Sequence, residues 1–123
     1  MSPVIGLHHI TAISASAQGN VDFFGKLMGL RLVKKTVNFD DPGTYHLYFA
    51  DRVGTPGSVL TFFPWAGVPK GIAGTGETGL TRFAVAPGTR GFWRDRLRTA
   101  GAAGLRGVRP WRPRTGGRGS SSC

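Results

Sequence analysis

Two adjacent histidines, His8 and His9, lie near the start of the chain in the segment GLHHITAIS. A neutral imidazole can bind a metal ion through one ring nitrogen, or it can accept and return a proton near neutral pH. The same two residues could instead be structural histidines that lie in a sheet and only make hydrogen bonds. Because a single imidazole holds a metal ion weakly, the rest of the chain has to decide between these alternatives.

The other side chains that could complete a metal site are poorly placed. His46 lies in the strand-like segment TYHLYF, where a structural role is the simpler interpretation. The single cysteine, Cys123, excludes an internal disulfide framework and a cysteine zinc cage. The carboxylates lie in turns, in helical segments or in a glycine-rich stretch: Asp22, Asp40, Asp41, Asp51, Glu77 and Asp95. The sequence therefore offers His9 no carboxylate in the middle of a neighbouring strand.

The charge of the chain is unevenly distributed. Its 123 residues carry a net charge of +10, which by itself would suggest a nucleic-acid partner. Residues 1–101 hold eleven basic and six acidic side chains, whereas residues 102–123 hold five arginines and no acid. Because half of the excess belongs to this terminal segment, we expect no nucleic-acid partner.

No secretory signal pattern and no apolar run of about 20 residues occurs in the chain. We therefore expect a cytoplasmic protein without a membrane partner.

Alternation and helical spacing place the histidines in an ordered unit. The first residues alternate as in a strand, the next show apolar positions at helical spacing, and three further strand-like segments follow, separated by turn signals such as DDPG. Ser16 suits the start of the helix and Gly29 its end. The predicted elements are a strand over 4–14, a helix over 17–29, and strands over 31–39, 44–50 and 58–63.

The order strand, helix, strand, strand, strand begins to repeat after residue 65. Residues 66–78 form a glycine-rich connector, residues 79–86 predict a strand, and residues 87–101 predict a helix. Residues 102–123 mix Arg, Gly, Pro and Ser without alternation, so we expect disorder there or an aberrant end such as an out-of-frame translation.

The segments LHHITAI, NVDFFGKLMGLRLVKKTVNFDDPGTYHLYFAD and GTPGSVLTFFPW resemble the vicinal oxygen chelate superfamily, which includes glyoxalases, bleomycin-resistance proteins and extradiol dioxygenases. Within it they are most similar to the N-terminal module of ring-cleaving dioxygenases that act on hydroquinone-type and catechol-type substrates. The resemblance implies an α+β fold, with one complete βαβββ module over 1–65 and a truncated second one over 79–101.

The resemblance also assigns roles to the histidines. His9 matches the first metal ligand, and His8 and Thr11 match catalytic groups beside the metal. The implied metal is Fe(II), or Mn(II), and the implied reactants are an aromatic diphenol and O2. Alternation agrees in part, because His9 and Thr11 share one face of the first strand whereas His8 should point to the other.

The resembled enzymes take their other histidine and their glutamate from modules further along the chain. We therefore expect an N-terminal fragment of a metal-dependent ring-cleaving dioxygenase that is inactive alone, since one ligand is too few to retain the metal. One alternative is a small binding module of the glyoxalase or bleomycin-resistance type that acts as a homodimer. A basic nucleic-acid-associating protein is a third class, which salt-sensitive DNA binding would distinguish.

Overall fold

A computed structural model describes residues 3–102 of the chain. The contacts divide the chain into two compact units between Thr75 and Gly76, inside the predicted connector. The domain limits themselves remain predictions, and the predicted basic tail lies outside the described residues apart from Ala102. The elements are β1 (His9–Ser14), α1 (Ala17–Asn20), a π-helix (Val21–Leu27), β2 (Arg31–Val37), β3 (Tyr45–Ala50), β4 (Val59–Pro64) and α2 (Arg90–Thr99).

The four strands form one mixed sheet in the order β1-β4-β3-β2. β1 runs parallel to β4, whereas β3 is antiparallel to both β4 and β2. The α+β class and the strand, helix, three-strand order predicted from the sequence are confirmed. In the register, Thr61 of β4 pairs with Thr11 of β1 and with Tyr48 of β3, and Tyr48 pairs with Lys34 of β2. These four residues therefore form one row across the sheet.

The first helix begins and ends where capping chemistry predicts. The Ser16 hydroxyl accepts a hydrogen bond from the Gly19 N–H at 3.0 Å, as an N-cap does. Gly29 adopts a φ of 74°, and its N–H donates to the Gly25 carbonyl at 3.1 Å. The predicted single α-helix instead becomes π-helical from Val21 onward, and the Met28 N–H reaches the Phe23 carbonyl five residues back at 2.8 Å.

The core lies between this helical segment and one face of the sheet. Phe24 packs over the strands, with its ring centroid 4.7 Å from that of Phe62 and 5.8 Å from that of Phe49. Burial of this apolar surface is the main stabilising contribution available to the first unit. The buried cluster is Leu47, Phe49, Leu60 and Phe62, and Ala12, Ala17, Val21, Phe24 and Leu30 pack against it.

The second unit differs from its prediction in one element. α2 forms within the predicted helix and stops before Gly101, whose φ is 69°. No strand forms over 79–86, because a strand needs a hydrogen-bonded neighbour and the described part of this unit holds no other strand. Of the helices within residues 3–102, none has the length and apolar character needed to cross a lipid bilayer.

Candidate active site

The sheet face opposite the core carries polar side chains on three adjacent strands. Alternation turns Thr11 of β1, Thr61 of β4, and His46 and Tyr48 of β3 away from the apolar residues that flank them in sequence. We call these four residues the polar face. Thr61 has no exposed surface, His46 and Tyr48 are half-buried, and Thr11 is exposed.

Hydrogen bonds join the four residues of the polar face in a continuous chain. The Tyr48 hydroxyl lies 2.9 Å from His46 Nδ1, and His46 Nε2 lies 3.1 Å from Thr61 Oγ1. The Thr61 and Thr11 hydroxyl oxygens lie within hydrogen-bonding distance, 2.7 Å apart. The chain therefore connects a phenol on β3 to an exposed hydroxyl on β1.

His46 is further fixed by two aromatic neighbours. Its ring centroid lies 4.0 Å from that of Phe63 and 4.2 Å from that of Tyr48. Desolvation by burial lowers the pKa of His46 below its ordinary value, and electrostatic interactions with His9 and Lys34 lower it further. These effects favour the neutral imidazole, and both of its ring nitrogens lie within hydrogen-bonding distance of a hydroxyl.

His9 and Thr11 lie on the same strand two residues apart, separated by roughly 7 Å along β1. His9 is the first residue of β1 and is exposed. His8 precedes the strand, so strict alternation does not apply to it, and its Nδ1 lies 3.1 Å from Nδ1 of His9. One of the two imidazoles must donate in this contact and the other must accept, which leaves the two Nε2 atoms for other partners.

The described residues do not by themselves form a metal centre. Within residues 3–102, no group of three or more histidine, cysteine or carboxylate side chains is arranged to hold a metal ion. His46 uses both ring nitrogens elsewhere, and three aspartates are engaged by other side chains or by the backbone. Asp22 pairs with Lys26, Asp41 accepts from Thr44 and Trp65, and Asp51 accepts from the backbone of Val53 and Thr55.

The structure thus places the three predicted site residues together at one end of β1, while their roles stay predictions. Sequence reasoning missed Tyr48 and Thr61 and interpreted His46 as structural. The spacing of His46 and Tyr48 was the available signal, since two polar residues two apart in a strand share a face. Which residues of β4 and β1 they meet depends on strand register, and the sequence does not specify it.

The sequence and the fold of the chain are similar to those of known proteins. The sequence profile of the Glyoxalase/Bleomycin resistance protein/Dioxygenase superfamily matches residues 6–119. The chain is 56% identical over 93 residues to the predicted ring-cleaving dioxygenase MhqO of Bacillus subtilis strain 168, which covers 76% of this chain and 30% of MhqO. It is 43% identical over 97 residues to chlorohydroquinone/hydroquinone 1,2-dioxygenase of Sphingobium indicum, covering 76% of this chain and 30% of that enzyme. The chain therefore spans about 30% of the length of these curated relatives.

Solved structures show the same fold. A crystal structure of a predicted dioxygenase from Bacillus subtilis superposes with a TM-score of 0.76 at 54% identity, covering 79% of this chain and 31% of that one. The fosfomycin resistance protein FosX of Listeria monocytogenes, determined with Mn(II), superposes with a TM-score of 0.55 at 16% identity. The superposition covers 93% of this chain and 80% of FosX. At that identity the second likeness concerns the fold alone.

The sequence profile covers most of the chain, the identities to curated relatives exceed 40%, and the β1-β4-β3-β2 sheet with its helix matches a solved relative. The resemblance seen in the sequence is therefore confirmed, and this chain belongs to the Glyoxalase/Bleomycin resistance protein/Dioxygenase superfamily.

Proposed function

We propose that this chain forms one part of the active site of an extradiol-type ring-cleaving dioxygenase, which inserts O2 into a dihydroxylated aromatic ring. One observation supports it above the others. The face that bears His9 and Thr11 belongs to a segment 43–56% identical to ring-cleaving dioxygenases and to an enzyme named for hydroquinone.

In this proposal His9 supplies one imidazole ligand to Fe(II), or to Mn(II), and such an ion would hold the diphenol oxygens and O2 side by side. His8 lies within hydrogen-bonding distance of His9 and would take or return a substrate proton. The exposed hydroxyl of Thr11 would hydrogen-bond an oxygen of the bound substrate.

A single ligand is too few for stable metal binding, so the remaining ligands must come from residues beyond those described. We expect the chain alone to bind Fe(II) weakly and to consume no oxygen with hydroquinone or catechol. A homodimer and a cytoplasmic location remain predictions from the sequence. Light scattering of the purified chain measures the former.

A chimera tests the proposal without relying on activity of the chain alone. The segment of the Sphingobium hydroquinone dioxygenase that aligns with this chain is replaced by the matching residues of this chain. The chimera is then assayed for Fe(II)-dependent oxygen uptake with hydroquinone. We expect uptake, and we expect His9→Ala to reduce it more than about 100-fold, since removing a ligand should exceed the loss seen for supporting residues.

Ile13→Ala is the matched control, because Ile13 lies on the same strand and the same side of the sheet, is 62% exposed, and has no donor atom. Its chimera should retain uptake. A folded chimera whose uptake is the same with and without His9 would contradict the proposal.

A further inference from the structure

His46 has a partner on each ring nitrogen, and these partners constrain its tautomer. A neutral imidazole carries one N–H donor and one acceptor nitrogen, whereas each hydroxyl carries a single proton. The hydroxyl oxygens of Thr61 and Thr11 lie 2.7 Å apart, and a threonine hydroxyl can either donate or accept. When Thr61 donates to Thr11, its oxygen meets His46 Nε2, 3.1 Å away, as an acceptor.

With Thr61 as the donor to Thr11, the direction of every other bond in the chain follows. Because His46 must donate through Nε2–H, its Nδ1 is the acceptor nitrogen and takes the Tyr48 hydroxyl proton at 2.9 Å. The protons then point in one sense, from Tyr48 through His46 and Thr61 to Thr11. No buried side-chain nitrogen or oxygen among the described residues lacks a partner, so the chain is complete.

The last member of the chain is left with a proton to donate. Thr11 accepts from Thr61, and its own hydroxyl proton must then point elsewhere. Thr11 is exposed and shares its strand face with His9, so this donor is available to a ligand on the side of the sheet where His9 lies.

We propose that His46 is a positioning residue that fixes the direction of this hydrogen-bond chain, so that Thr11 presents its hydroxyl proton to an anionic oxygen bound beside His9. This inference rests on the proposed function, in which that oxygen belongs to a diphenolate. Tyr48 and Thr61 act with His46. Tyr48 donates to Nδ1, and Thr61 accepts from Nε2–H and donates to Thr11 on β1.

The surroundings favour the neutral ring that this arrangement needs. Burial of the imidazole, and then its electrostatic interactions with His9 and Lys34, disfavour a second proton on His46. Lys34 also lies over the Tyr48 ring, 5.2 Å from its centroid, on the row that joins the two strands. A cation there adds to the attraction for an anionic oxygen on this face.

The first test measures the tautomer in the complete chain, with no metal and no turnover. Nitrogen-15 labelling of histidine and long-range proton–nitrogen correlation spectra report which ring nitrogen carries the proton. We expect His46 to be the Nε2–H tautomer near neutral pH, with Nδ1 unprotonated. Tyr48→Phe removes the donor to Nδ1 and should shift the Nδ1 resonance. An Nδ1–H tautomer in the unchanged chain would overturn the inference.

The second test uses the hydroquinone dioxygenase chimera. His46→Phe keeps a ring but removes the donor to Thr61, whereas His46→Gln retains an N–H at about the reach of Nε2. We expect His46→Phe to lower kcat by roughly 10- to 100-fold, as loss of a supporting hydrogen bond does, and His46→Gln to recover most of it. Thermal melting of each variant reports whether it folds.

The two proposals fail in different ways. A folded chimera that takes up no oxygen argues against the proposed function, while the tautomer measurement still decides the direction of the chain. If the chimera is active and its His46→Phe and His46→Gln variants have equal kcat, the positioning role of His46 is contradicted, whereas the proposed function is not.

Discussion

The two faces of the four-stranded sheet use different interactions. The helix-facing side is an apolar cluster in which Leu47 and Phe49 are almost completely buried. On the opposite side, hydrogen bonds join His46, Tyr48, Thr61 and Thr11. Both faces are built from the same strands, because residues alternate between them.

The two faces differ in whether their stabilising interactions have a direction. Apolar burial is non-directional and scales with the area removed from water, so the helix-facing cluster tolerates many arrangements of similar volume. Hydrogen bonds between groups with one proton each must run in one sense, so changing one member reorganises its neighbours. We therefore expect changes on the apolar face to alter stability most, and changes on the polar face to alter ring protonation and binding.

The largest effect is expected from Phe49→Ala. Phe49 has no exposed surface and packs against Phe24 and Phe62, so truncation should lower the free energy of unfolding by about 3–5 kcal/mol. Phe63→Ala is the matched change on the other face, where Phe63 is half-buried against His46 and Trp65. It should lose less than about 3 kcal/mol. Urea unfolding followed by circular dichroism measures both, and equal losses would contradict the assigned core.

A smaller effect is expected from Thr61→Val, which keeps the shape of the side chain and removes its hydroxyl. The change leaves His46 Nε2 and Thr11 without their shared partner, and the expected loss is about 1–3 kcal/mol. Thr61→Ser retains the hydroxyl and serves as the control. If Thr61→Val leaves the free energy of unfolding in urea unchanged while Thr61→Ser lowers it, the hydrogen bonds contribute no stability.

Much of the fold could be predicted from the sequence because it depends on local signals. The capping hydroxyl of Ser16, the glycine with positive φ at position 29 and the alternation of β3 each act within a few residues. The π-helical segment could not be predicted, since apolar spacing over seven residues fits α and π geometry alike. The missing strand over 79–86 shows the same limit, because its pattern is strand-like but pairing is a non-local property.

The residues of the candidate site also differ in whether they could be predicted from the sequence. His9 and Thr11 could be assigned because they lie in a continuous segment that resembles a known family and alternate on one strand. The link from Thr11 to Thr61 spans 50 residues, and that from His46 to Thr61 spans 15. Each depends on a register that only the folded sheet sets, so the residues that orient Thr11 could not be read from the sequence.

A further prediction concerns the helix that covers the apolar face. Ser16→Ala removes the oxygen that accepts from the Gly19 N–H at 3.0 Å, and should cost about 1 kcal/mol. Ser16→Thr retains an accepting oxygen and should cost little. Because the cap lies away from the polar face, neither change should alter the tautomer of His46. A change of tautomer in Ser16→Ala would mean that the two faces are coupled.

The smallest effect is expected at the turn before β4 and depends on pH. Hydrogen bonds from the side chain and then the backbone of Thr55, followed by the backbone of Val53, lower the pKa of Asp51 to about 2 from an ordinary value of 3.8. The folded state therefore holds the ionised carboxylate more strongly than the unfolded state does. Its stabilising contribution is complete above about pH 4 and is lost as the pH falls toward 2.

Asp51→Asn is the matched variant, since its amide oxygen can still accept from the turn but does not ionise. Melting temperatures from pH 7 to pH 2 should show the unchanged chain above the variant at neutral pH, with the difference closing between pH 4 and pH 2. Asp51 is fully exposed, so water and salt weaken the effect and the difference should be small. Because the turn lies away from the hydrogen-bonded chain, the pH at which the difference closes should be unchanged in Thr61→Val. If Thr61→Val changes the pH at which the two melting temperatures become equal, the loss of stability in acid depends on the polar face and not on the turn.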